Sequence, residues 1–268
     1  MTPVLRMCEV VGTWVTGWCL YAVDATALVG QAVGLLARPS SLPPVARTVL
    51  QRQILFTGVE AMPFTALLAL LTSVMVVVQA QAALTGIGTS DLFNELLVAI
   101  LVRGLGPLLV ALVVLARSGT AMATELGSMQ VRGEVAALER QGIDPFRYLV
   151  VPRLGGAAVA VACLTLQYIV ISLAGGYFLP RLFDIPGAPD LSTYLGGLAR
   201  HLGPGDLVGL LAKTLIPGAL IAAIACREGL ACATSFTAVP QAATRAVVRS
   251  LVAVFLWNAL VTIVLAKA

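Results

Sequence analysis

The chain has 268 residues, of which 59% are hydrophobic and 11% charged, against roughly a quarter charged in soluble domains. A mean hydropathy of +0.96 excludes a soluble enzyme, because too little polar side chain is present to coat a globule of this size, and marks an integral membrane protein. The excess of 17 Lys+Arg over 13 Asp+Glu is dispersed between apolar runs, so it speaks to topology and not to nucleic acid.

In residues 1–37 the polar groups Glu9, Thr13, Thr16, Asp24, Thr26 and Gln31 interrupt the apolar pattern, and Pro39, Pro43 and Pro44 then break any helix. A helix or helical elbow in the membrane interface is expected here, with a sixth span as the alternative. Glu9 and the lack of a small-residue cleavage pattern argue against a cleaved signal peptide. From Ala46 to Met62 a second amphipathic piece sets Val49, Gln53, Phe56 and Glu60 on mixed faces and leads into the first span. Five stretches, 63–86, 93–116, 154–179, 206–226 and 246–266, are apolar enough to cross a hydrocarbon core, which takes about 20 helical residues. The fold class is therefore an all-α integral membrane protein with about five transmembrane helices.

Basic residues near the span ends set the orientation. Arg6, Arg38, Arg47 and Arg52 precede the first span, the first loop has none, and Arg117, Arg132, Arg140, Arg147 and Arg153 crowd the second. Arg181 and Arg200 flank the third loop, and Arg227, Arg245 and Arg249 the fourth. This alternation puts the N-terminus and the second and fourth loops in the cytoplasm.

The second and fourth spans repeat one another at a fixed offset. Pro107, Arg117, Gly119, Ala121, Ala123 and Thr124 fall on Pro217, Arg227, Gly229, Ala231, Ala233 and Thr234, and the same offset carries Arg103 onto Lys213. Parallel repeats of this kind occur in transporters. Counting back from Arg117 at about 1.5 Å per residue puts Arg103 roughly 21 Å above the cytoplasmic boundary. Either both bases snorkel outward to headgroups, or they face a protein-lined cavity and meet an anionic headgroup. Pro107 and Pro217 each remove a backbone bond and invite a kink. Gln79, Gln81 and Gln167 need partners within the bundle, and interhelical hydrogen bonding is the expected answer for at least two.

The loop from Arg117 to Arg153 spaces Val131, Val135 and Leu138 on one helical face and leaves Arg132, Glu134, Glu139 and Arg140 on the other. It predicts a short amphipathic helix on the cytoplasmic face, with Gly142 as a left-handed cap and Asp144–Pro145 opening the helix that feeds the third span. Cys8, Cys19, Cys163, Cys226 and Cys232 lack metal or CxxC spacing and read as small core residues. His201, beside Gly203 and Pro204, reads as a solvated loop residue.

The segment 103–153 resembles the MlaE (YrbE-like) family of ABC-transporter permeases. The matches are Leu105, Gly106, Pro107, Arg117, Gly119, Ala121, Ala123, Glu125, Gly127, Met129, Val131, Glu134, Ala137, Leu138, Gly142, Asp144, Pro145, Tyr148, Leu149, Val150, Pro152 and Arg153. The resemblance continues at lower density through Gly205 to Thr214 and Thr244 to Ser250, so the chain reads as a single permease domain over 1–268, with N-terminal interfacial helices to residue 62 and a five-span core from 63.

The resemblance implies a homodimeric permease of the bacterial inner membrane, working with a cytoplasmic ATPase and an MCE-domain periplasmic protein to move phospholipid or a similar hydrophobic molecule. It makes the helix around 125–141 the coupling helix, with Glu125, Met129, Arg132, Glu134, Leu138 and Glu139 at the ATPase contact. It places Gln79, Arg103, Lys213 and Asn258 at polar pocket positions. Two departures stand out: Gly104 follows the arginine where the family often has Glu, and Asn258 stands where it often has Asp. Both leave Arg103 and Lys213 less neutralised.

With no GxxxxGK[ST] loop, the chain is expected to hold no cofactor and to borrow its energy, ATP and Mg being bound by the partner ATPase. Two functions of different class follow: this lipid permease, or an ATP-independent carrier or channel for a small amphiphile.

Overall fold

The computed structural model describes residues 27–32, 34, 44–84, 90–182, 190–233 and 235–267, and among them every regular element is helical. Helix α1 is Pro44–Thr57, and a tight turn over Val59–Ala61 leads into α2, Met62–Leu84. Helix α3 covers 90–131, α4 is Glu134–Arg140 and α5 covers 146–182. Then follow α6, Leu191–His201, α7, Pro204–Leu230, and α8, Ala238–Lys267. Five segments are long and apolar enough to cross a membrane, one overlapping each expected stretch, and the chain is a multi-pass membrane protein.

The second of these runs well past its expected span. The stretch Phe93–Val131 has 39 residues, roughly 58 Å of helix, nearly twice a hydrocarbon core of about 30 Å. Its polar extension TAMATELGSMQV is helical all the same, with Thr120, Thr124 and Ser128 turning their hydroxyls back onto the carbonyls of Ala116, Thr120 and Thr124 instead of drawing the backbone into a turn. The expected amphipathic helix over 125–141 is therefore two elements: its first part is the end of α3, and the chain breaks at Gly133, whose φ of 74° only glycine adopts easily. The apolar stripe itself faces inward as read, Val131 packing on Cys232 and Val239, and Val135 and Leu138 on the Met122–Leu126 cluster. Gly142 takes a φ of 76° as the left-handed cap, and the Asp144 carboxylate accepts the Phe146 N–H at 3.0 Å to open α5.

Helix α6 was not expected; it folds the third loop back onto the start of α3. The larger part of the expected N-terminal elbow lies outside the described residues. Within 27–32 the chain is helical, and Ala32 is fully buried in the cluster of Met122, Leu126, Leu149 and Cys226.

The bundle is organised around α5 and α7. Helix α7 packs on α3, α5 and α8, and α5 also carries α1 and α2. With lipid tails as apolar as leucine, close packing and hydrogen bonds drive such contacts, and the crossings are set by small residues. A Cβ on Gly218 would stand 2.8 Å from Ala158 Cα on α5, and one on Gly229 2.8 Å from Ala123 O on α3.

Hydroxyls and one amide fasten α2 to α5. Thr72 and Tyr168 share a 2.6 Å bond, Ser73 donates to Ser172 O at 2.8 Å, and Gln167 donates to Met62 O at 3.1 Å. Gln79 lies exposed on α2, and the Gln81 side chain lies outside those described. Cys226 and Cys232 are core residues as expected, whereas Cys163 is exposed on α5; Cys8 and Cys19 lie outside the described residues.

Gly229→Ala should cost about 2 kcal/mol, since a methyl cannot be placed without moving the α3 backbone. Gly196→Ala on α6, where nothing lies within 4 Å, should be neutral or stabilising by less than about 1 kcal/mol. Thermal unfolding of the two variants in detergent, monitored by size exclusion, checks the pair.

Candidate functional site

Pro107 lacks the N–H that would close an α-helical turn onto Arg103 O, and the hydrogen bonding of α3 widens just before it, Gly106 N–H reaching back to Leu101 O. Inside a membrane an unpaired carbonyl costs several kcal/mol. The donor comes from the neighbouring helix: Lys213 Nζ bonds Arg103 O at 2.6 Å. The two bases that share one register in the repeat are thereby joined, the ammonium of one on the backbone of the other. Lys213 is 4% exposed and points across the helix interface, so it does not snorkel. Trp257 Nε1 on α8 donates to Ala212 O at 2.9 Å, one residue earlier on α7.

The Arg103 side chain has its own partner. Its Nε and Nη2 meet the two Asp206 oxygens at 2.6 and 2.9 Å, and Nη2 also donates to His201 O at 2.9 Å. Asp206 Oδ2 in turn accepts the Gly203 N–H at 2.9 Å, closing the first turn of α7. The expectation that Arg103 is left without a neutralising acid is thus corrected: Asp206 supplies from α7 the carboxylate missing at Gly104 and Asn258. His201 is likewise no free loop residue, since it ends α6, half-buried, with its carbonyl on Arg103.

These groups line a cavity of about 800 Å³ bounded by α3, the α6–α7 turn and α8, with Val102, Leu210, Thr262 and Leu265 among its walls. Of the predicted pocket residues it brings together Arg103 and Lys213. Gln79 is not part of the lining, and Asn258 sits one turn before Thr262, whose hydroxyl bonds Asn258 O at 2.8 Å. Asp206 was the residue missed. Its signal was an acid three residues after Gly203, at a helix start marked by Pro204.

The other end of the bundle carries the remaining predicted residues. Arg153 is 5% exposed and is held by Glu125 at 3.0 Å and Leu149 O at 3.0 Å, while the Glu125 side chain itself stays more than half exposed. Met129 and Glu125 border a hollow of about 570 Å³ with Arg52, Phe56 and Tyr148. Arg132 and Glu134 pair at 2.9 Å on the outer surface, and Glu139 is exposed beside them on α4. A second residue missed is Glu228, buried at the end of α7 between Arg245 and Arg249 of α8. Among the described residues no three His, Cys, Asp or Glu side chains gather as metal ligands.

Comparison with known proteins gives a family match, described as Permease MlaE, over residues 50–264. A probable ABC transporter permease protein of Rickettsia typhi is 30% identical over 244 residues, covering 88% of this chain and 93% of the relative. Another of that description, from Rickettsia prowazekii, is 30% identical over 220 residues, covering 82% and 84%. The intermembrane phospholipid transport system permease protein MlaE of Haemophilus influenzae is 24% identical over 203 residues, covering 75% and 77%.

If Lys213 caps the carbonyl freed by Pro107, Lys213→Met should destabilise the wild type by about 2 kcal/mol, the value of a hydrogen bond from a charged donor. In a Pro107→Ala background, where the backbone regains its own donor, the same change should cost about 1 kcal/mol less. A double-mutant cycle on reversible unfolding in mixed micelles measures the difference; equal costs would show that the proline and the lysine are uncoupled.

Proposed function

The chain belongs to the MlaE permease family, and on that premise we propose that it is the membrane subunit of an ABC transporter moving phospholipid or a similar amphiphile between the bacterial inner membrane and an MCE-domain protein. A separate ATPase binds ATP and Mg and drives it. The observation that carries this reading is the cavity around Arg103 and Lys213, a cationic centre with apolar walls inside an otherwise apolar bundle. An anionic headgroup meets fixed donors there while acyl chains lie along Val102, Leu210 and Leu265. The phospholipid named in the Haemophilus relative is cargo of that chemistry.

In this reading the cavity opens toward the periplasm, and α4 with the N-terminus lies in the cytoplasm, as the arginine counts require. Residues 1–268 act as one permease domain, the helices up to residue 62 lying along the interface. Arg132, Glu134 and Glu139 present charge to the ATPase, while Glu125, Met129 and Leu138 hold the supporting surface in place. A second copy completes the transporter by covering part of the apolar outer faces of α2 and α8, where Leu71, Met75, Leu256 and Ile263 are exposed. Nucleic acid has no part in it.

The test is co-purification and coupling. Mass spectrometry of the chain extracted from its native membrane in mild detergent should recover an ATPase, an MCE-domain protein and a phospholipid. Reversing Arg132 and Glu139 together (R132E, E139K) should lower lipid-coupled ATP hydrolysis at least tenfold without changing the elution profile. Glu125→Ala should instead lower stability by about 1 kcal/mol, because the carboxylate that meets the buried Arg153 guanidinium is itself more than half exposed and Leu149 O still accepts from Arg153. Undiminished coupled hydrolysis in the reversed variant, or ATP-independent solute flux through the isolated chain in liposomes, would overturn the reading.

A further inference from the structure

Asp206 is fixed in the cavity from two sides. Its Oδ1 and Oδ2 receive Arg103, and Oδ2 also receives the Gly203 N–H of its own helix start. A carboxylate anchored to both a guanidinium and a backbone N–H is held in place when cargo enters. Arg103 keeps a free edge, because only its Nε and Nη2 are engaged and Nη1 has no partner among the described residues. The Arg103 side chain is half exposed toward the opening, while Lys213 lies buried behind it with one N–H on Arg103 O. An anion arriving from the mouth therefore meets Nη1 of Arg103 first, with the ammonium of Lys213 deeper in the wall.

The charges at the centre are two positive, Arg103 and Lys213, and one negative, Asp206. Outside this centre Arg200 also lines the cavity, and Glu95, exposed on α3, lies close enough to act on Arg103, so the outer charges include one of each sign. The centre is left with a single net positive charge among apolar walls. A headgroup with one negative charge is matched there. A headgroup with two leaves one charge uncompensated in a poorly hydrated site, which is strongly disfavoured.

We propose that Asp206 is the specificity-determining residue of this cavity: by cancelling one of the two central positive charges it fits the site to a phosphodiester headgroup carrying one charge and disfavours phosphomonoesters carrying two. The proposal rests on the lipid-permease reading above and adds the headgroup class and the residue that sets it. Asp206→Asn is the informative change. The asparagine oxygen still accepts the Gly203 N–H, so the helix start survives, while the cancelling charge is gone.

The full-length chain, purified with its ATPase partner, is equilibrated at pH 8 with mixed micelles of phosphatidylcholine containing equal amounts of phosphatidylglycerol and phosphatidic acid. At that pH the phosphomonoester carries close to two charges. Bound lipid is then quantified by mass spectrometry. Wild type should retain phosphatidylglycerol over phosphatidic acid. Asp206→Asn should move the bound ratio toward phosphatidic acid about tenfold, equivalent to about 1.4 kcal/mol, and Asp206→Glu should restore it.

An unchanged ratio in Asp206→Asn, or a wild type that prefers phosphatidic acid, overturns the proposal. The underlying reading stands in those cases if Arg103→Met lowers retention of both anionic lipids. Retention of neither anionic lipid by wild type, or retention indifferent to Arg103→Met, removes the reading and the proposal together.

Discussion

A proline in the middle of a membrane helix leaves a carbonyl without its donor where no water can replace it, and the cavity end of this protein is built around that gap. The donor that closes it, Lys213 on Arg103 O, comes from a helix whose sequence repeats the first at a constant offset. The bond fixes the height at which α3 and α7 lie beside one another. Farther along, Gly119 meets Ile221 and Gly229 meets Ala123, so the same two helices stay in register from the cavity to the α4 end. Everything else at the cavity is referred to this pair: Asp206 reaches Arg103 from the first turn of α7, and Trp257 ties α8 to the residue before Lys213.

The charges divide into those buried in the fold and those that face solvent. Arg153 and Glu228 are buried ions, and each is met by opposite charge, from Glu125 in one case and from Arg245 and Arg249 in the other. Removing one member of such a set costs more than the set contributes, since it strands a charge in low dielectric. Arg132, Glu134 and Glu139 are solvent-facing, and their pairing is worth under about 1 kcal/mol. A surface of that kind is cheap to alter, so charge reversal there leaves the fold standing.

The five spans were legible in the sequence because about 20 consecutive apolar residues admit few structures other than a membrane helix. The equivalence of Arg103 and Lys213 was legible as well, through the repeat, although pattern alone could not decide between snorkelling and a cavity. That choice depended on rotation about the helix axis, which uniformly apolar helices do not encode. The continuation of α3 past Arg117 was hidden by its threonines and serines, which look like loop residues until their hydroxyls fold back on the helix. Helix α6 was hidden by Gly196 and Gly197, poor helix formers; Gly197 is packed against the buried Asn94 of α3. Asp206 was missed because acids were sought only at the two positions the family resemblance supplied, 104 and 258, and the chain supplies one from the start of α7.

The packing also limits which parts can move. Sliding α3 against α7 would break the Lys213 bond and drive Gly229 into the α3 backbone, and separating α5 from α7 would open the crossing at Gly218. Helices α3, α5 and α7 therefore behave as one body. At the cavity end α8 is attached more lightly, by the Trp257 bond and by Leu265 lying over Gly209, while its far end is clamped by Arg245 and Arg249 on Glu228. Since Thr262 and Leu265 form one wall of the cavity, the packing that sets the angle of α8 also sets the width of the cavity.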